Sequence, residues 1–348
     1  MQDISIAGRR IGERTPPFIV AELSANHGGS LDRALAVVEA AKAAGADAVK
    51  LQTYTPDTLT IDHDGPDFRI KDGLWDGRRL YELYHEAHTP WDWHEALFAR
   101  ARDLGMIVFS TPFDHTAVEL LERLQAPAYK IASFEMIDLP LIRCVAATGK
   151  PTIVSTGMAT PEEIGEAVDT FRAAGGRDLV LLHCVSGYPT PAEQSNLRRI
   201  PKLAAEFGCP VGLSDHTLGI EVAIVAVALG ACLVEKHFTL RRADGGPDSA
   251  FSLEPEELAS LARGARAAFA ALGTGTAARA EIEQGSKVFR RSLYAVADIG
   301  AGEMLTAKNI RIIRPGFGLA PKHLPDVIGK RARRALPRGT ALSWDAIE

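Results

Sequence analysis

Between residues 18 and 238, short apolar runs alternate with longer stretches in which apolar positions recur every three or four residues. The short runs are FIVAELS (18–24), AVKLQTY (48–54), MIVFSTP (106–112), AYKIAS (128–133), PTIVSTG (151–157), LVLLHC (179–184), PVGLSDH (210–216) and LVEKHF (233–238), and they predict eight strands. The stretches between them, such as SLDRALAVVEAAKAAG, WDWHEALFARARDLG and TPEEIGEAVDTFRAAGG, open on Ser, Thr or Trp-Asp, and several close on Gly, as amphipathic helices do. Strands that are apolar almost throughout belong in a parallel sheet covered on both faces. Eight successive strand–helix units predict a closed (β/α)8 TIM barrel over residues 1–273, with a doubly wound open sheet as the competing arrangement.

Two features break this pacing. Residues 55–90 form a long insertion after the second strand, rich in Asp, Gly and aromatic residues, the composition of a lid or binding loop. After the helix pattern EPEELASLARGARAAFAALG, the small and polar residues 274–285 read as a linker to a last module, 286–348.

Charge separates the two parts. From Gln284 onward there are 12 Lys and Arg against 5 Asp and Glu, whereas the remainder holds 27 basic and 39 acidic residues. Opposite signs favour docking of the module on a barrel, its own or a partner's. The basic string GKRARRALPRG lacks interleaved aromatics and the chain as a whole is acidic, so nucleic-acid binding is not expected. No apolar stretch is long enough to span a bilayer, MQDISIAGRR lacks a signal-peptide core, and Cys144, Cys184, Cys209 and Cys232 sit in or beside apolar runs. These features together predict reduced thiols and a cytoplasmic setting.

Almost every proposed strand ends in polar residues: Glu22, Lys50 and Gln52, Ser110 and Thr111, Lys130 and Ser133, Thr156, His183, Ser214 and His216, Glu235 and His237. In a barrel those ends share one mouth, where such folds place their chemistry. His216 and His237 end neighbouring strands and can ligate one divalent ion, while each alone could equally be a structural histidine. With only two clear ligands, an open, water-rich manganese or magnesium site fits better than structural zinc, and Asp248 in GGPDSAFS is a further candidate partner. Lys50 and Lys130, with Thr111, Ser133, Ser186 and Ser214, would make a phosphate cradle; a Schiff-base lysine, or lysines that only balance Glu22, Glu135 and Glu235, are the competing readings. Glu22 is either a base near the metal or merely a partner for Lys50, and Gln52 and Tyr188 could hydrogen-bond a polyhydroxylated substrate. Cys184 reads as packing rather than as a nucleophile. HEALF lacks the second His of a metalloprotease helix, GTGT follows a helix rather than a strand, and His63, His85, His88 and His94 are expected on the surface of the insertion.

The strings AELSANHGGSLDRAL, GADAVKLQTYTPDTLT, AYKIASFE, KPTIVSTGMAT, YPTP, GLSDHT and EKHF resemble the sialic acid synthase family of phosphoenolpyruvate-condensing enzymes. RRSLYAVADIGAGEMLTAKNIRIIRPGFG resembles that family's C-terminal antifreeze-like (SAF) module, a small β-rich domain. KDGLWDGRRLYELYHEAHTPWDWH, GPDSAFSL and RPGFGLAPKH resemble the branch that forms pseudaminic acid, and HCVSGYPTP carries Ser186 where many N-acetylneuraminate synthases have Asn.

The resemblance implies a transferase that joins phosphoenolpyruvate to the open-chain aldehyde of a 2,4-diacetamido-2,4,6-trideoxy-L-altrose. By the same resemblance His216 and His237 hold Mn2+ or Mg2+, and Lys50, Thr111, Lys130, Ser133, Ser186 and Ser214 surround phosphoenolpyruvate. Glu22 assists at the metal, and Gln52, Glu135, Tyr188, Asp248 and Arg314 line the sugar site. It further implies a domain-swapped homodimer. An N-acetylmannosamine or legionaminic acid-precursor acceptor, or a non-catalytic sugar-binding role, are the alternatives.

Overall fold

In the computed structural model, which describes residues 2–277 and 280–348, eight parallel strands close into a barrel. An antiparallel hairpin, β1 (Ile4–Ile6) and β2 (Arg9–Ile11), comes first. The barrel strands are β3 (Phe18–Glu22), β4 (Ala48–Thr53), β5 (Ile107–Pro112), β6 (Tyr129–Ile131), β7 (Thr152–Ser155), β8 (Leu179–Cys184), β9 (Val211–Asp215) and β10 (Leu233–His237), and β10 pairs back to β3. The open sheet is thereby excluded.

Helices follow the strands and begin where the sequence supplies caps. Ser30 accepts from Arg33 N, Asp114 accepts from Ala117 N, and Thr160 and Glu163 form a reciprocal capping box, so exposed N–H groups at these starts are satisfied. Among the described residues no helix is long and apolar enough to cross a membrane, and all four cysteines are free.

Side chains alternate across each strand, and the two faces have different fates. Phe18, Val20, Ala48, Phe109, Ala128, Ile153, Val180, Leu182 and Leu233 point inward and pack with Ile4, Ile6 and Ile11, so the N-terminal hairpin plugs the floor of the barrel. Ile19, Ala21, Val49, Leu51, Tyr129, Val154, Leu181, Leu213 and Val234 point outward and bury against the helices. Continuing the inward parity up each strand leads to Glu22, Lys50, Gln52, Thr111, Lys130, Ser214 and Glu235, and on to His216 and His237. The barrel is apolar at its floor and polar at its mouth.

That parity corrects part of the sequence reading. Ser110 and His183 end strands but lie on the outward parity: Ser110 bonds the Thr53 hydroxyl at 2.6 Å, and His183 Nε2 contacts the Ser195 carbonyl at 2.6 Å. His94, expected on the surface, is fully buried; its Nε2 meets Thr53 Oγ1 at 2.9 Å and its Nδ1 meets the Pro90 carbonyl at 3.1 Å. Residues 55–90, read as one long loop, contain the helices Pro56–Leu59 and Leu80–Ala87.

Burial holds the His94 pKa down to about 4, whereas an imidazole in the unfolded chain titrates near 6.5. Below 6.5 the unfolded chain takes up a proton that the folded barrel refuses, so stability is lost as pH falls through this window, by about 3 kcal/mol in all. Urea unfolding at pH 7 and pH 4.5 should show a clearly smaller loss for His94→Gln than for the wild type; equal losses would show that other groups govern acid unfolding.

The chain divides into two compact units, Met1–Gly273 and Thr274–Glu348. The second contains its own antiparallel pair, β11 (Ser292–Ala295) with β12 (Ile310–Ile313), over a separate core of Leu293, Ile299, Leu305, Ile310, Val327, Leu336, Leu342 and Ile347.

Candidate active site

The barrel mouth is built on a buried cluster of four charges. Lys50 Nζ lies 3.0 Å from Glu22 Oε2 and 3.2 Å from Glu235 Oε1, and Lys130 Nζ lies 3.5 Å from the same Glu235 oxygen. All four side chains are at most 5% exposed. Hydroxyls and an amide complete the cluster: Lys50 donates to Thr111 Oγ1 at 3.3 Å, Ser214 to Glu235 Oε1 at 3.3 Å, and Gln52 Nε2 to Glu22 Oε1 at 2.8 Å. Glu22 does pair with Lys50, as one of its two readings had it, and the lysines balance Glu22 and Glu235.

Position decides how each charge responds to burial. Glu22 is raised above the ordinary carboxyl value, first by desolvation and then by Glu235, with Lys50 opposing. Glu235 is lowered, because Lys130 and Lys50 outweigh its burial. Lys50 is raised, its two carboxylates overcoming desolvation, whereas desolvation dominates at Lys130 and lowers it. Glu135, without an ion pair among the described residues, is pushed up to about 7, chiefly by burial.

Around this cluster the hydroxyls converge. Ser133 Oγ accepts from Gly157 N at 3.0 Å, and a Cβ at position 157 would collide with the hydroxyls of both Ser133 and Ser186. Only glycine lets β7's end approach them so closely. The Oγ of Ser186, the Oγ of Ser155 and the Oε2 of Glu235 are buried without a hydrogen-bond partner among the described residues. Such atoms are costly to leave unpaired and are characteristic of sites that meet their partners in a ligand.

One step further out lie the two imidazoles, with ring centroids 5.4 Å apart. His216 Nδ1 is 2.9 Å from the Val185 carbonyl, which fixes the proton on Nδ1 and leaves the Nε2 lone pair free. Burial opposes charge on His216, but the Cys184 sulfur 3.9 Å from Nδ1 and the Val185 carbonyl outweigh it and raise its pKa. Cys184 therefore does more than pack: it faces the ring of His216. His237 goes the other way. Burial, then the positive neighbours His216, Lys50, Lys130 and Lys236, hold it well below the ordinary imidazole value, so it is neutral with Nδ1 unpaired.

Asp248 Oδ2 stands 3.9 Å from His237 Nδ1 and is held by the Ser24 hydroxyl and, at 3.4 Å, by Ala25 N. Two free imidazole nitrogens near a buried carboxylate suit a divalent cation that keeps open coordination positions. Among the described residues no group of three or more His, Cys, Asp or Glu is set to enclose a metal.

Tyr188 covers this corner, its ring 4.4 Å from His216, 5.3 Å from Phe251 and 5.6 Å from Trp75. Trp75 comes from the insertion and donates from Nε1 to the Pro247 carbonyl at 3.0 Å, so part of residues 55–90 does reach the mouth. Arg314 belongs to the second unit, exposed just after β12. The remaining candidate residues are all in the barrel unit.

Sequence reasoning gave Glu235 only the task of balancing the lysines, and gave none to Ser155, Ser24 or Trp75. Parity could have found two of these: Ser24 lies two residues after Glu22, and Ser155 two before Gly157. Ser24 also adopts φ 48°, a conformation rare outside glycine, while bonding Asp248 and accepting from Gln52 at 3.3 Å.

Residues 37–277 match the model of the NeuB family. The chain belongs to the NeuB family. Residues 290–348 match the SAF domain. Among NeuB-family relatives, pseudaminic acid synthase of Campylobacter jejuni is 49% identical over 93% of this chain and 95% of its own length. Pseudaminic acid synthase of Helicobacter pylori is 45% identical over 96% and 98%. The crystal structure of the N-acetylneuraminic acid synthetase of Leptospira borgpetersenii, in complex with citrate, superposes with TM-score 0.74 at 33% identity, covering 82% of this chain and 95% of that one.

Proposed function

We propose that this NeuB-family protein condenses phosphoenolpyruvate with the aldehyde of 2,4-diacetamido-2,4,6-trideoxy-L-altrose, consuming water and releasing pseudaminic acid and phosphate. What carries the reading is the mouth: two buried lysines and unpaired hydroxyls of phosphate-binding type stand beside two neutralisable imidazoles at one rim. The relatives named pseudaminic acid synthase support the choice of acceptor.

In this reading Lys50, Lys130, Thr111, Ser133, Ser186 and Ser214 hold the phosphate and carboxylate of phosphoenolpyruvate, and Gln52, Glu135, Tyr188 and Asp248 orient the acceptor. C3 of the enol attacks the aldehyde carbon, and the electron deficiency passes to C2, where water adds before phosphate departs. Glu22, made a stronger base by burial, takes a proton from that water as a carboxylate aimed by Gln52, and one proton passes to the alkoxide formed from the aldehyde oxygen. Holding both reactants at one rim makes the encounter an oriented step, and Trp75 with its insertion limits bulk water. His216 and His237 would hold Mn2+ or Mg2+, which supplies Lewis-acid stabilisation to negative charge developing on an oxygen. The same proposal extends to Arg314 as a contact for an N-acetyl group and to a homodimer.

Phosphate release from phosphoenolpyruvate, followed against a panel of amino sugars with product mass as readout, tests the proposal. Release is expected only with a divalent cation and the diacetamido-trideoxy sugar. A better rate with N-acetylmannosamine or a legionaminic acid precursor would reassign the acceptor, and undiminished release in chelator would remove the metal. No release with any acceptor would leave a sugar-binding protein.

A further inference from the structure

Directly behind the two imidazoles lies an ion pair that the proposed chemistry does not use. Lys236 Nζ is 2.9 Å from Asp215 Oδ2, with side-chain exposures of 0% and 2%. The same ammonium donates to the Thr217 carbonyl at 2.6 Å, and Asp215 Oδ1 accepts from Thr217 N at 2.9 Å. A buried ion pair is weak evidence for stability, since desolvating two charges costs about as much as their attraction returns. Its position argues for another task.

Asp215 immediately precedes His216, and Lys236 immediately precedes His237. The two are direct partners in the β9–β10 register, and the described pairing between these strands stops there. β9 itself ends at Asp215, so His216 stands one residue beyond the ladder. On the β8 side its backbone is held by Thr190 N, which donates to the His216 carbonyl at 3.0 Å. On the β10 side the lysine continues where the ladder stops, gripping the residues before and after His216. Alternation puts Asp215 and Lys236 outside the barrel wall and both imidazoles inside it.

We infer that the Asp215–Lys236 pair is a positioning strut that sets the separation of His216 and His237 and thereby the affinity of the chain for a divalent cation. This rests on the reading of those histidines as cation ligands. The pair touches neither substrate nor cation; it acts through the turn at 215–217.

The test is a Mn2+ titration of chelator-treated protein, read by the electron paramagnetic resonance of free Mn2+, alongside urea unfolding and phosphoenolpyruvate binding. The double variant Asp215→Leu/Lys236→Met leaves no buried charge unpaired, so it should fold; Asp215→Asn serves as the near-isosteric second variant. Both are expected to bind Mn2+ about 10–100-fold more weakly, the usual cost of losing an outer support of a metal site. Phosphoenolpyruvate affinity, set by Lys50 and Lys130, should stay within about two-fold, a result that general loosening of the barrel would not give. Either variant, folded and binding Mn2+ with wild-type affinity, would overturn the strut. Wild-type protein that binds no Mn2+ would overturn the histidine reading itself, a separate outcome seen before any variant is made.

Discussion

His237→Ala is expected to abolish Mn2+ binding and to lower phosphate release from phosphoenolpyruvate by about 10³-fold, while the barrel stays folded. The size follows from losing roughly 4 kcal/mol of transition-state stabilisation, within the several kcal/mol that a Lewis-acid cation supplies, at about 1.4 kcal/mol per decade of rate. Folding should survive because His237 is neutral and its Nδ1 is unpaired in the folded chain. Removing it strands no hydrogen-bond partner among the described residues and leaves no uncompensated charge, whereas truncating His216 would take away one of the two partners of the Val185 carbonyl, which would keep only the Thr190 hydroxyl at 3.2 Å. The measurement is paired: circular dichroism and urea unfolding for the fold, Mn2+ titration and phosphate release for the site. Phosphate release at the wild-type rate, still sensitive to chelator, would show that His237 is not a ligand.

The barrel was legible because its signals are repeated eight times and agree with one another. Each run from FIVAELS to LVEKHF is apolar on both faces, which only a sheet covered on both sides can bury. What escaped were features that occur once. The hairpin ISIAGRRI has strands of three residues, too short for a periodicity to declare itself, although its Ala7-Gly8 turn takes positive φ at both residues, as a tight two-residue hairpin requires. His94 sits in a helix whose buried face is visible only once Thr53 and Ser110 are known to stand behind it.

The site was legible for a related reason and limited by it. Strand ends converge in any closed barrel, so listing their polar residues captured most of the mouth. Parity sorts that list. Lys50 and Gln52, Ser214 and His216, Glu235 and His237 share a face, whereas Ser110, His183 and Lys236 lie on the other. Lys236 sits in EKHF between two inward residues, yet its ammonium meets Asp215 and the Thr217 carbonyl in the wall rather than the lumen. Trp75 was hidden differently: a single aromatic in a long insertion has no spacing that ties it to Tyr188, and their contact exists only in the folded chain.

Glu235→Ala should be the most destabilising single change at the mouth, by about 3–5 kcal/mol, because it removes one partner from a buried charged network and leaves the other behind. Lys50 would keep Glu22 at 3.0 Å, but Glu235 is the one carboxylate within ion-pair distance of Lys130 among the described residues. Desolvation already lowers Lys130 with Glu235 present, so without it the lysine should shed its proton still more readily. Glu235→Gln preserves shape and an acceptor for Ser214 while removing only the charge, so its loss should be smaller. The same variants test the phosphate cradle. If Lys130 is built to face an anion, inorganic phosphate should take the place of the missing carboxylate and raise the melting temperature of Glu235→Ala more than that of the wild type. Binding at 100 times the dissociation constant would return about 2.7 kcal/mol, most of the expected deficit. Equal phosphate responses in the variant and the wild type would mean that the lysines serve Glu22 and Glu235 alone, and the cradle would have to lie elsewhere in the mouth.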